Sequence, residues 1–408
     1  MTIEWADAPV ASRPVTAAAG QRWFATGRSV DADAHTAGAQ AASMALAGRQ
    51  AALVIVFCPA DIDLAAMLEG VRSQTGTAPL IGCTGIAHYT DADAPVELAV
   101  VVSVLGGPGF EVCISRADKV SAGQRAAGEK VAEAVESLTR EHQMLLLLLD
   151  GLAGDQHEVV RGAFSVAGAA IPLAGGCAAD NLNYAQTSQF FTDEHGVHVL
   201  TDSVVAAAIG SDAPIGVGIA HGWSKFGEPM LVTASEGGKI MTLDDEPALD
   251  VFLARVGGTP PPLDDVPKFA KFAMQQPLGM SRRKTEDIRV IHGGNRADGS
   301  VTCLADVPAG SLLWTMRSDT ASLIASVNDA YEEAVESLGG ATPIGLLAFD
   351  CGVRFVMLGA SGTREEVDLL SRRAGKVPFA GFYTYGEIAR SHGARGMHHM
   401  TLVMLAFA

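Results

Sequence analysis

One structural unit recurs three times in this chain, and that repetition limits the folds open to it more than any other feature. In the first instance an apolar run at 53–57 leads into a helical stretch beginning near Asp61 or Asp63, with Leu64, Met67, Leu68 and Val71 at helical spacing. Gly76 ends that stretch, Pro79-Leu-Ile-Gly82-Cys83-Thr84-Gly85 follows, and a later strand is expected at 98–105. The order returns with an aliphatic run at 145–149, a helix opened by Asp155 with Glu158 three residues on, Pro172-Leu-Ala-Gly175-Gly-Cys177, and a strand at 203–209. It returns again with 346–349, a helix with a Thr363-x-x-Glu366 capping box, Pro378-Phe-Ala-Gly381-Phe-Tyr383, and 402–406. Proline is tolerated at the first residue of a strand, and a strand glycine lets another backbone or a ligand come close. Crossovers of any α/β protein look broadly alike, but the identical Pro-to-Gly offset argues for a shared unit. The expected fold is therefore α/β, with mixed sheets built from repeated strand-helix-strand units. The loops after Gly82, Gly175 and Gly381 should occupy equivalent places.

Between the units, 190–196 and 292–299 carry turn signals between strand-like runs and read as hairpins. A further strand at 312–316 precedes a helix near 320–337, whose buried stripe includes Leu323, Val327, Tyr331 and Ala334. The stretch Gly257-Gly-Thr-Pro-Pro-Pro262 is the clearest linker. The expected layout is an N-terminal extension at 1–24, an N-terminal domain at 25–256, a proline-rich linker at 257–263 and a C-terminal domain at 264–408.

Charge and cysteine usage exclude several functions. With 29 basic against 46 acidic residues the formal charge is −17, which repels phosphate backbones and anionic lipid. Neither nucleic acid nor a membrane surface is an expected partner. The six cysteines (Cys58, Cys83, Cys113, Cys177, Cys303, Cys351) form no Cys-x-x-Cys pair, so neither a zinc site nor a disulfide framework is expected. Small buried thiols in a reducing compartment are the plainer account. The N-terminus carries acidic residues where a signal peptide would carry basic ones, and the longest aliphatic run, 145–149, is far below the ~20 residues of a membrane helix. A cytoplasmic location follows as an expectation.

In order along the chain, these segments resemble the FIST family of bacterial sensory proteins, from about residue 25 onward. The resemblance rests on Pro79-Leu-Ile-Gly-Cys-Thr-Gly85, Ala174-Gly-Gly-Cys-Ala178, His221-Gly-Trp223 with Pro229, and 243–250, followed by Phe349-Asp-Cys351-Gly-Val-Arg354 and Gly381-Phe-Tyr-Thr-Tyr-Gly-Glu387-Ile. The last motif is the most specific. Two departures bear on ligand choice: Ile86-Ala87-His88 stands where a small-residue loop is usual, and His398-His399-Met400-Thr401 replaces His-Asn-Gln-Thr. The resemblance implies a two-part intracellular sensor that binds a small polar ligand such as an amino acid. It further implies output through a separate partner, a histidine kinase or other signalling protein, with no catalytic residues and no cofactor. A NosP-like branch implies an alternative, a nitric oxide sensor carrying haem b.

Among candidate residues, Tyr383, Tyr385 and Glu387 follow a buried strand, where α/β sheets bind ligands. A glutamate between tyrosine hydroxyls could hold an ammonium group. Arg354 could clamp a carboxylate, or pair inside the protein with Asp350 or Glu387. Cys351 is three residues before Arg354, too close for a phosphatase loop, and is placed with the ligand-binding set. A small-molecule hydrolase or transferase is the third reading. His221, at the end of the run 215–220, is the best single haem-ligand candidate, with a structural histidine as the plainer account. No phosphate-binding Gly-x-x-x-x-Gly-Lys loop is present.

Overall fold

The three sequence units are three copies of one eight-element motif. In a computed structural model that describes residues 15–16, 20–91, 93–257, 259–281, 286–390 and 396–408, a short β1 (Val15–Thr16) precedes them. The first copy runs β2 (Trp23–Ser29), α1 (Ala34–Leu46), β3 (Ala51–Pro59), α2 (Leu64–Thr75), β4 (Leu80–Gly85), β5 (His88–Thr90), β6 (Asp93–Val96) and β7 (Val100–Gly106). The second runs β8 (Phe110–Asp118), α3 (Gln124–Ala132), β9 (His142–Asp150), α4 (Gln156–Ala167), β10 (Leu173–Ala178), β11 (Gln189–Asp193), β12 (Gly196–Leu200) and β13 (Ser203–Ser211). The third opens with β14 (Ile215–Ala220) and is then interrupted by an insert. The insert holds β15 (Ser224–Glu236), β16 (Lys239–Leu243), β17 (Glu246–Pro247), α5 (Ala248–Arg255), α6 (Val266–Met274), β18 (Leu278–Ser281), β19 (Glu286–Arg289), β20 (Ile291–Asn295), β21 (Ser300–Cys303) and β22 (Leu312–Arg317). The motif resumes with α7 (Thr320–Glu336), β23 (Gly345–Cys351), α8 (Gly352–Ala374), β24 (Phe379–Thr384), β25 (Glu387–Arg390), β26 (Met397–His398) and β27 (Leu402–Phe407).

In each copy the two central strands are parallel neighbours joined by a helix, as right-handed crossover rules require. The Pro-x-x-Gly glycines hold one register: Gly82 opposite Val56, Gly175 opposite Leu147, Gly381 opposite Ala348. The hairpin that follows then leaves its own sheet. β11 and β12 of the second copy join β4 of the first, β25 and β26 of the third join β10 of the second, and β5 and β6 of the first join β24 of the third. The exchange closes a circle. The same glycines again face equivalent partners, Phe190, Ile388 and Tyr89 respectively.

The central strands are apolar along their whole length because both faces are buried. Alternate residues of β3, β9 and β23 (Phe57, Leu148, Phe349 among them) enter one shared core, where the rings of Phe57, Phe349 and Phe382 meet. Their other faces carry the helix pairs α1/α2, α3/α4 and α7/α8. Asp63, Asp155 and Asp319 cap helices with their side chains, as their sequence positions suggest. The insert forms a separate antiparallel sheet with its own core around Phe252 and Phe269.

Several expectations change. The segment 257–263 joins α5 to α6, and both helices pack in the insert's core, so it is a connection within the insert. Of the expected extension at 1–24, residues 1–14 and 17–19 lie outside the described residues; Val15–Thr16 pairs with β8, and Trp23 begins β2. Thr363 and Glu366 do not cap a helix start. α8 begins at Gly352 and breaks at Gly359 (φ 60°), the Thr363 hydroxyl donates to Gly359 O, and Glu366 faces Arg354. The hairpins at 190–196 and 292–299 form as expected. All six cysteines are buried.

Candidate functional site

Because three parallel strand pairs end on exchanged hairpins, their carboxyl ends meet where the chains cross. Equivalent backbone bonds tie the crossings: Thr84 N to Ser188 O at 3.0 Å, Cys177 N to Gly386 O at 2.8 Å and Tyr383 N to Ala87 O at 3.0 Å. One fully buried polar side chain follows each crossing: His88, Gln189 and Glu387. Their environments differ. Gln189 accepts from Ser203 Oγ at 2.6 Å. Glu387 accepts from Thr384 Oγ1 at 2.9 Å, Thr401 Oγ1 at 2.8 Å and Thr401 N at 3.1 Å. His88 has Ala99 where the other copies have Ser203 and Thr401, and neither ring nitrogen makes a hydrogen bond of normal geometry. Burial pushes Glu387 up to about 7, against the pull of its hydroxyl donors, and pushes His88 down to about 3.

Arg354 lies at the start of α8 and is wholly buried. Its Nε donates to Asp350 at 2.7 Å, one terminal nitrogen to Ser326 Oγ and His221 O at 3.3 and 3.4 Å, the other to Leu323 O at 3.1 Å and to Glu366. All five N–H donors are taken by protein acceptors, which leaves none to clamp a ligand carboxylate. The internal-pairing account of Arg354 is the one realised, with Asp350 and Glu366 as partners. Burial and then neighbouring Glu366 push Asp350 well above its ordinary value, with Arg354 opposing. A proton on Asp350 satisfies its otherwise unpartnered Oδ2 and leaves one cation facing one anion.

Tyr383 is equally internal: its hydroxyl donates to Glu366 at 2.9 Å. Cys351 is buried, and burial raises its thiol well above the usual range, so it is no thiolate nucleophile at neutral pH. Only Tyr385, of the expected ligand set, reaches the surface. Its hydroxyl donates to Asp180 at 2.5 Å and its ring stacks on Tyr184, centroids 4.8 Å apart. Asp180 also accepts from the backbone N–H groups of Tyr184, Ala185 and Gln186. Tyr184 is 59% exposed, and Asn181, Leu182 and Tyr184 all hold positive φ (55°, 64° and 53°). Burial raises the Tyr184 hydroxyl above its ordinary value.

His221 does not have the geometry of an iron ligand. Its Nδ1 accepts from Trp223 N at 2.9 Å, so the neutral ring carries its proton on Nε2 and has no lone pair left to bind metal. That bond fits the structural account of His221 given above. Among the described residues no group of three His, Cys, Asp or Glu side chains is arranged to hold a metal ion, and no helix is long and apolar enough to cross a membrane.

Profiles of the FIST N domain match residues 52–246 and of the FIST C domain residues 248–390, together most of the chain. The chain belongs to the FIST family. FIST domains are associated with sensory signal transduction. This FIST protein is 25% identical over 391 residues to an uncharacterized protein of Mycobacterium tuberculosis strain H37Rv and, with the same figures, to one of strain CDC 1551, spanning 93% of this chain and 98% of each relative. An uncharacterized protein of Methanocaldococcus jannaschii is 22% identical over 307 residues, 70% of this chain and 58% of its own length.

The FIST motif residues thus split into an internal network and one exposed edge. Sequence reasoning missed Asp180 and Tyr184, which hold the loop, and the His88 and Gln189 counterparts of Glu387. A signal for His88 existed: it stands six residues after Gly82, as Glu387 stands six after Gly381. Gln189 was hidden because it stands fourteen after Gly175, the eight extra residues forming the Tyr184 loop.

Proposed function

We propose that this FIST protein is the receiving part of a signalling system, which binds a small polar, amine-bearing ligand of the amino-acid class and passes the change to a separate protein such as a histidine kinase. The supporting observation is the Tyr184 loop. It exists in one repeat only, holds three residues at positive φ, and is fastened over the strand ends chiefly by Asp180, with Thr187 at its end donating to Asp150. Backbone strain of this kind gathers at ligand clamps and switch segments. An ammonium group offered to Asp180 competes with the Tyr385 hydroxyl and shifts the loop, while the internal Arg354 network keeps the strands beneath it rigid. The action is reversible binding, without turnover.

Hydrogen exchange of the full chain with and without a panel of amino acids tests this reading. An active ligand should slow exchange across 181–187, and Asp180→Asn should abolish both its binding and that protection. Saturable binding with protection confined to other segments, or binding untouched by Asp180→Asn, would overturn it.

A further inference from the structure

We propose that the insert carries a second ligand site, independent of the Tyr184 loop, in which Arg317 seats the carboxylate of a small hydroxy or amino acid. A cavity of 310 Å³ opens where the end of β22 passes the carboxyl ends of α5 and α6, lined by Gly257, Gln275, Gln276, Met316, Arg317 and Ser318. That volume sits at the lower end of small-molecule sites.

Arg317 is set up for a ligand in a way Arg354 is not. Its guanidinium lies over the Phe226 ring, 3.1 Å from the centroid, and both side chains are exposed. Phe226 is itself held across the sheet from Thr315, whose hydroxyl donates to Phe226 O at 2.7 Å. Among the described residues the Arg317 guanidinium has no ion pair and no hydrogen bond, although acidic residues outnumber basic ones in the chain, 46 to 29. A planar fork with open donors, one face against a ring, matches a carboxylate in bidentate fashion.

The rest of the cavity suits a polar tail. Gln275 and Gln276 follow α6 with their backbone N–H groups bonded to Phe272 O and Ala273 O, so their backbone positions are set, and their side-chain amides make no hydrogen bond among the described residues. Each amide offers donors and an acceptor to a hydroxyl or ammonium group. Ser318, also on the lining, donates to Gly222 O at 2.6 Å, and its hydroxyl oxygen can still accept. Buried Met316, packed against Gly279, closes the floor.

Calorimetry on the full chain at constant ionic strength tests the site, with acetate, L-lactate, succinate and L-glutamate as probes and acetamide, lactamide and succinamide as uncharged controls. At least one carboxylate should bind saturably while the amides do not. Arg317→Gln should weaken that binding at least tenfold, Arg317→Lys several-fold because the fork and the stacking are lost, and Gln276→Ala several-fold. Asp180→Asn should leave it unchanged, which separates this site from the Tyr184 loop. No saturable binding by any carboxylate, or equal binding by Arg317→Gln, would overturn the proposal. If Arg317→Gln fails to fold, undiminished binding by Gln276→Ala and Arg317→Lys would do so.

Discussion

The first two repeats and the third close their helix pairs by opposite means. In α1/α2 and α3/α4 the helices touch backbone to backbone. A Cβ on Gly38 would strike Met67 O and one on Gly70 would strike His35 O; Gly128 and Gly162 meet Val159 O and Arg125 O in the same manner. In α7/α8 charged side chains fill the gap instead. Gly70 and Gly162 each stand seven residues after their N-cap aspartates, and Glu366 stands seven after the break at Gly359. Where two repeats have no side chain, the third has a carboxylate, and the extra turn before the break supplies Arg354 to meet it. The strand framework tolerates either solution because the helices only cover its outer face. The difference teaches that Arg354, read from sequence as a binding residue, does the work that glycine does elsewhere.

The largest effect expected from breaking this comparison comes from Arg354→Met. It leaves Asp350 and Glu366 buried beside each other, and removing one partner of a buried ion pair costs about 3–5 kcal/mol. Urea denaturation should show that loss, and replacing Arg354, Asp350 and Glu366 together by apolar residues should recover most of it. A loss below about 1 kcal/mol would mean that the third repeat is not held by its charges.

The next effect separates the three buried polar positions by pH. Glu387 titrates at about 7 in the fold against an ordinary 4.5, so its contribution is fully present below pH 4.5 and is lost as pH rises through 7, roughly 3 kcal/mol in all. His88 has the opposite sign. Its folded value of about 3 lies below the ordinary 6.5, so its contribution is present above pH 6.5 and is lost as pH falls through 3. Glu387→Gln should flatten the neutral limb of the stability profile and leave the acid limb, while His88→Gln should relieve the acid limb alone. Coincident profiles for the two variants would remove the distinction between these environments.

Smallest is the effect of Gly70→Ala or Gly162→Ala, where overpacking against a carbonyl oxygen should cost about 1–3 kcal/mol each. Thermal melts of the single variants measure it. Wild-type stability for both would mean that close backbone contact at these glycines is not needed to hold the first two helix pairs.

Much of this was legible in the sequence. Continuous apolar runs such as 145–149 identify doubly buried strands, and the shared Pro-to-Gly spacing identifies equivalent crossovers. Hairpins and aspartate caps were also readable, because each is specified by a few adjacent residues. Arg354 and Tyr383 meet at Glu366, while Glu387 sits in β25, which joins β10 of another sheet, and nothing local in the sequence says that this region is sealed. Burial depends on the Tyr184 loop and the exchanged hairpins, both contributed from other repeats. The Trp223 N–H bond to His221 supports the plainer, structural account of that histidine, and composition cannot reveal such a bond.

The sequence alone determined the elements and their threefold recurrence, since hydrophobic period, proline, glycine and caps act within a dozen residues. Only the tertiary structure decided which sheet each hairpin completes. Backbone N–H and C=O groups on a strand edge carry no residue code, and β4, β10 and β24 present chemically similar edges. The choice rests on contacts that exist only after pairing, Phe190 over Gly82, Ile388 opposite Gly175 and Tyr89 over Gly381. That same closure takes Arg354 and Glu387 out of water and leaves the Tyr184 loop as the accessible edge of the seam.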